Sequence, residues 1–487
     1  MTSSNRTRVA VCRESTVGTT PNTPRMRTMR ITGESLSFTP EYVDSDEVRS
    51  DRMLGDPIKV MQASQGGLNF ELSYPEDNTP LSEVIRSALF ATWTNTPTFD
   101  NDGTADSVCT QVTDSTDTFT VASGGAAAVA GHLIRTTGFT NAANNGIFKV
   151  GSSTGTTIVV AGTPTLTDEA APPAAAKIKV VGFQGASGDI TATSTGLGST
   201  LLDFTTLGLA VGQWIKIGGT ATGDKFATAA CNGFARVTAI AAHALTCDNL
   251  PSGWTTDSGA SKTIKVWFGD QIKNGTTVSS MTIEKGFMGQ TTPTYIYNTG
   301  MVANTLELTF QSRQKITGSV NFMGMGGGQD TTSLDSSPDA ETTNSVMACH
   351  ANVGRLAENG STLTDPNWAR SFSLNVNNNI EMKDAVDSTS PVGHREGECT
   401  VTGNITTYFG SNSLLAKLYA GTATSINVRA AKDSQAIILQ VPRATLRSGV
   451  PAAGGKNQNV ELSSDFQASK DTLTSAHVII DRIPYYE

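Results

Sequence analysis

The sequence predicts a mainly β protein: two packed antiparallel sheets forming a barrel or sandwich, one or two short helices, and two small inserted β modules. Three observations lead there. The 487 residues include 69 threonines and 47 glycines; threonine fits a pleated, half-buried surface and glycine supplies turns. Short runs in which apolar and polar residues alternate recur towards both ends, the period of strands with one covered face. Charge is also uneven: residues 107–268 hold 18 charged side chains in 162, whereas the other 325 residues hold 61. The middle therefore reads as a separate pair of modules.

Composition sets the outer bounds. A chain of this length allows two to four domains and a well-buried core without disulfide or metal staples. Apolar content of 38% argues against global disorder. The 35 basic and 44 acidic residues leave net −9, which disfavours a broad basic face for nucleic acid. Six scattered cysteines form no CxxC pair and no zinc spacing, so they read as free thiols. The first thirty residues are polar and Arg-rich with no apolar signal-peptide segment, and the most apolar stretch, 126–134, falls far short of the ~20 residues a membrane helix needs. The expectation is a soluble protein with no membrane partner.

Residues 1–30, rich in Thr, Pro and Arg, are expected to form an N-terminal arm that orders on a neighbour. Residues 31–106 supply the first part of the core. There, Leu36 to Thr39 reads as a strand, and Gly67 to Tyr74 alternates and is ended by Pro75. Thr79 and Pro80 then open a helix running to Trp93, with Leu81, Val84, Ile85, Ala88 and Leu89 on one face.

The inserted modules, 107–180 and 187–268, share an internal repeat. Gly131 to Arg135 followed by Asn145 to Val150 matches Gly212 to Lys216 followed by Asn232 to Val237. The reading is a Gly turn, an apolar-basic strand, a loop, then an Asn-Gly hairpin turn of positive φ into another strand. Residues 269–487 complete the core. Alternating runs include Leu306 to Phe310, Ile316 to Phe322, Ser371 to Val376, Val401 to Phe409, Ala436 to Val441, Val460 to Phe466 and Ala476 to Ile480, with a second short helix around Leu414, Leu415 and Leu418.

No catalytic signature emerges. The five histidines are dispersed, and there is no nucleophile elbow, HExxH, P-loop or EF-hand pattern. Gly324 to Gly328 lacks the GxGxxG spacing and leads into a polar run. The expectation is no enzyme, no cofactor and no metal. The densest charge run, Glu41 to Arg52, interleaves both signs, which suits either a solvated loop or a subunit contact.

The flanks resemble the phage tail tube (major tail protein) family. The matching features are Glu14 to Pro21, the Leu36 to Thr39 strand, the Glu41 to Arg52 run, the Gly67 to Tyr74 strand with its helix, Gly403 to Leu418, Ile438 to Pro442, and Val460 to Ala468 leading to Asp471. About 325 residues carry the likeness, everything outside the middle modules. The resemblance implies a structural virion protein of the tail, assembled in the host cytoplasm. It implies homo-oligomeric sixfold rings stacked into a tube, tape-measure, tail-tip and terminator proteins as partners, and transient passage of viral DNA.

It also implies that the loop containing Asp44, Asp46, Glu47, Arg49 and Arg52 reaches an adjacent ring, making these the candidate interface residues. The inserted modules are expected to project outward, with host-surface contact as one use. The alternative reading is a virion or surface β protein that binds or hydrolyses carbohydrate through exposed Trp214, Trp254 and Trp267.

Overall fold

A computed structural model describes residues 3–103, 107–162 and 164–487; the division expected at residue 106 and the first two residues of the expected arm lie outside them. The fold is mainly β, built of antiparallel ladders. Its longest strand, Thr294–Gln311, serves two layers in turn. The first half pairs with Met281–Phe287 and Gly326–Asp330; the second pairs with Thr317–Gly324 and Ala369–Asn377. Between the halves Gly300 takes φ +66, and a Cβ there would meet Met325 Cγ at 3.0 Å. The bend needs glycine on both counts. From Ala369–Asn377 the ladder continues through Thr400–Tyr408, Glu461–Ala468 and Gln435–Leu446 to Thr424–Lys432 and Val353–Glu358.

The helix at Pro80–Leu89 packs into this core. It is shorter than the sequence suggested, because Phe90 adopts a left-handed conformation that closes it. It is also buried on nearly all sides, with only Arg86 partly outside. Its polar residues are accordingly bonded: Ser87 Oγ donates to Ser279 O at 2.7 Å and accepts from the Ala303 amide at 3.0 Å. Such pairing is what makes burial of a hydroxyl tolerable. The helix Ser413–Ala420 appears where expected, and Cys349–Asn352 adds a third, single-turn helix.

Residues 3–30 do not form an arm. Strand Thr7–Arg13 lies between Met281–Phe287 and Arg27–Met29, with Val9, Ala10 and Val11 buried. Two of the arginines that made this stretch look solvated have distant partners: Arg8 pairs with Glu284 at 2.8 Å and Arg25 with Asp339 at 2.7 Å. Glu14 then fixes the following turn, its carboxylate accepting from Gly18 N, Ser280 Oγ, Thr282 Oγ1 and Gly300 N at 2.7–2.9 Å.

The middle of the chain, from strand Thr98–Asp100 to strand Lys265–Trp267, forms its own sheet around one hydrophobic cluster. Apart from Thr98–Asp100, its strand order reads alike from either edge. One half runs Cys109–Thr113, Thr118–Val121, Thr157–Val160, Gly146–Ser153, His132–Thr137, Lys177–Gln184. The other runs Thr191–Thr193, Gly196–Gly198, Ala244–Asp248, Gly233–Ala241, Trp214–Ile217, Lys265–Trp267. The halves meet where Gly182 faces Trp267.

The repeated Asn-Gly pair does not form a positive-φ hairpin turn at Asn, since Asn145 and Asn232 are both extended. Each asparagine is instead a side-chain staple. Asn145 Oδ1 accepts from Phe139 N, while its Nδ2 donates to Phe139 O and Asn141 O, all at 2.9–3.1 Å. Asn232 repeats this on Phe226 and Thr228 at 2.9–3.1 Å. A carboxylate completes each loop: Glu169 accepts from the Asn141 amide and Asp257 from the Thr228 amide.

This sheet is docked firmly on the rest of the chain. Leu133, Val181, Trp214 and Trp267 pack with Ala436, Ile438, Ile483, Tyr485 and Tyr486 in a shared cluster. Beside it, buried Asp270 accepts from Lys179 Nζ at 3.1 Å, Arg482 Nε at 2.7 Å and the Thr96 amide at 2.8 Å. Arg482 donates further to Pro75 O, Ser82 Oγ, Asp77 and Asn95 at 2.7–3.0 Å and stacks over Trp93. Burial alone would raise the Asp270 pKa, but the Lys179 and Arg482 charges outweigh it and hold it at about 2. Among the described residues its neighbour Asp481 has no ion-pair partner, and burial pushes it up to about 8.

Candidate assembly interface

Strands Ser37–Val43 and Ile58–Glu71 form a hairpin whose base is anchored and whose far half is not. At the base, Ser64 is buried and its Oγ donates to Asn298 Oδ1 at 3.1 Å. Beyond it, Val43 pairs with Ile58, and residues 44–57 connect them without regular structure. Hairpin loops are commonly two to five residues, so fourteen here is a long projection. Among the described residues the outer strand pairs with one partner, and it carries Pro40, which has no N–H to offer a further strand.

The five residues singled out by sequence all fall on this projection, and all are exposed. Arg49 pairs with Asp51 at 3.1 Å; that guanidinium and the Met53 amide hold the Asp51 carboxyl below its ordinary range. Arg52 takes φ +59 and its amide donates to Arg49 O at 3.2 Å, closing a tight turn. Among the described residues, the side chains of Asp44, Asp46, Glu47 and Arg52 make no hydrogen bond or ion pair.

The sequence reading attended to charge and missed the apolar side chains of the same hairpin. Val48 is 102%, Leu54 82% and Met53 70% exposed, joined by Tyr42, Val43, Ile58 and Val60. Of sixteen large apolar side chains exposed among the described residues, seven thus lie between positions 42 and 60. Scattered exposed apolar residues are ordinary, but a contiguous group marks a contact surface. The available signal was apolar residues that follow neither a strand nor a helix period within a charged run. A second hairpin, Glu381–Lys383 with Gly393–Arg395, leans on the first through Gln62 N donating to Thr389 O at 2.7 Å. It exposes Val386 and Val392 beside the first.

The sequence model of the phage tail tube protein family matches residues 4–240 and 218–468, running through the middle block as well as the flanks. The chain belongs to the phage tail tube protein family. No curated protein matches it. A tail tube protein is a structural component of the virion tail that assembles into a tube with other tail proteins.

The tryptophans proposed as an exposed carbohydrate platform are not one. Trp214 and Trp267 are fully buried at the junction, where Trp214 Nε1 donates to Gln440 Oε1 at 2.9 Å. Trp254 is half-buried and its Nε1 donates to Thr193 O at 2.7 Å. Among the described residues, no group of three or more His, Cys, Asp or Glu is placed to hold a metal ion, and no helix is long and apolar enough to cross a membrane.

Proposed function

We propose that this tail tube protein builds sixfold rings that stack head to tail around a lumen for viral DNA, and that it performs no catalysis. The observation that carries this reading is the 37–65 hairpin, whose apolar tip none of the described residues covers. Asp44, Asp46, Glu47, Arg49 and Arg52 surround that tip and set the register of the ring-to-ring contact, since complementary charges fix orientation more than affinity. Net −9 suits a wall past which DNA slides without adsorbing.

The middle sheet, too large for the bore or the ring faces, projects outward from the tube, where host surfaces are within its reach. The tube forms in the host cytoplasm around a tape measure, between a tip complex and a terminator. Negative-stain microscopy of the purified protein at increasing concentration tests this reading. Hollow tubes with sixfold end views are expected; monodisperse monomers at every concentration, or rings of another order, would overturn it.

A further inference from the structure

At the end of the sheet opposite the hairpin tip lies a cleft of about 360 Å³. Its walls are apolar, formed by Phe310, Val353, Leu356, Leu363 and Phe372, with half-exposed Trp368 at the mouth. Three basic side chains edge it: Arg355, Arg370 and His350. No carboxylate lines it among the described residues. Arg370 pairs with Glu461, whereas among the described residues Arg355 hydrogen-bonds to the neutral groups Asn249, Asn427 and Gly360 O and lies over the Trp214 ring.

The hairpin has the opposite character. Residues 41–57 hold six acids and two arginines, net −4, around exposed Val48, Met53 and Leu54. One strand connects the two features. Ile58 adjoins the hairpin tip, and Glu71, at the far end of the same strand, pairs with Thr317. Thr317 in turn pairs with Thr309, next to Phe310 of the cleft. Thirteen residue steps at roughly 3.3 Å put tip and cleft about 43 Å apart along the strand. A tip cannot fill the cleft of its own subunit.

We infer that the cleft is the socket for the hairpin tip of a second copy of this chain: Met53 and Leu54 enter the apolar pocket while Asp44, Asp46 and Glu47 meet its basic edge. Because tip and socket are different surfaces at opposite ends, the contact is heterologous and repeats without closing, which generates a stack. The inference rests on the tube-forming reading and adds the identity of the receiving surface.

A benzophenone side chain placed at position 54 and photolysed in assembled tubes tests it. Cross-linked peptides are expected within residues 349–372, and cross-links confined to any other surface would overturn the socket while leaving tube formation intact. A preparation that forms no tubes at all would overturn the assembly reading and the socket with it. As an independent readout, His350→Glu with Arg370→Glu, both on the surface, is expected to lower tube yield about tenfold. Adding Asp46→Lys and Glu47→Lys to the same chain should restore it; an unchanged yield in the doubly reversed variant, or no recovery in the swap, contradicts the proposal.

Discussion

The middle sheet and the 37–65 hairpin are both β structure added to the same core, and they settle their apolar residues in opposite ways. The sheet turns them inward around one cluster and repeats its loop staples at Asn145 and Asn232. It also joins the core through Trp214, Trp267 and the Lys179–Asp270–Arg482 triad. The hairpin is richer in charge yet leaves Val48, Met53 and Leu54 in solvent. Low charge marks the region whose apolar residues are covered within the subunit, and the charged region is the one whose apolar residues stand exposed.

The comparison breaks most visibly at the tip. Changing Val48, Met53 and Leu54 together to Asp should abolish tubes, while subunit stability moves by no more than about 0.5 kcal/mol, as for surface substitutions elsewhere. Electron microscopy and thermal unfolding of the same preparation check both halves of that statement. The junction should behave in reverse. Asp270→Asn strips the counter-charge from buried Arg482 and Lys179 and should cost about 3–5 kcal/mol, read by denaturant unfolding, with the middle sheet becoming protease-sensitive relative to the core.

Within the middle sheet, Asn145→Ala and Asn232→Ala each leave the same backbone groups without their partner. Each should cost about 1–3 kcal/mol. Similar losses in the two variants would show that the repeat is mechanical as well as sequential; a loss confined to one would limit that conclusion to its half.

The smallest effect concerns pH. Asp481 has its pKa raised by burial to about 8, so its contribution to stability is fully present below the ordinary carboxylate pKa near 4 and is lost as pH rises to about 8. Asp481→Asn removes the titration. The melting temperature of the variant relative to the parent should therefore rise from pH 4 to pH 8 and level off above; a difference constant over that range would contradict the assignment. Asp270 has the opposite sign, its contribution being lost only as pH falls from about 4 towards 2.

Much of this was legible in the sequence where the signal is local. The Pro80 helix start, the alternating strands and the repeat all follow from short-range spacing. The N-terminal strand was hidden because Val9, Ala10 and Val11 form a short apolar run among arginines whose partners, Glu284 and Asp339, lie hundreds of residues away. Asn145 and Asn232 were correctly found as repeat landmarks but given the wrong mechanism, since a hairpin turn and a side-chain staple can share the same dipeptide. Charge located the hairpin at Asp44 to Arg52, yet the tip's exposure depends on nothing else folding over it. The cleft was illegible for a related reason: residues 310–312, 349–356, 362–372 and 428 meet only through sheet pairing.

The central claim is that the hairpin is completed by another subunit, and a cryo-EM reconstruction of the assembled tube tests it most directly. The account predicts density for residues 44–57 crossing to the next ring and entering the cleft between Val353 and Trp368. Tips standing in solvent, or folded back on their own subunit, would contradict it.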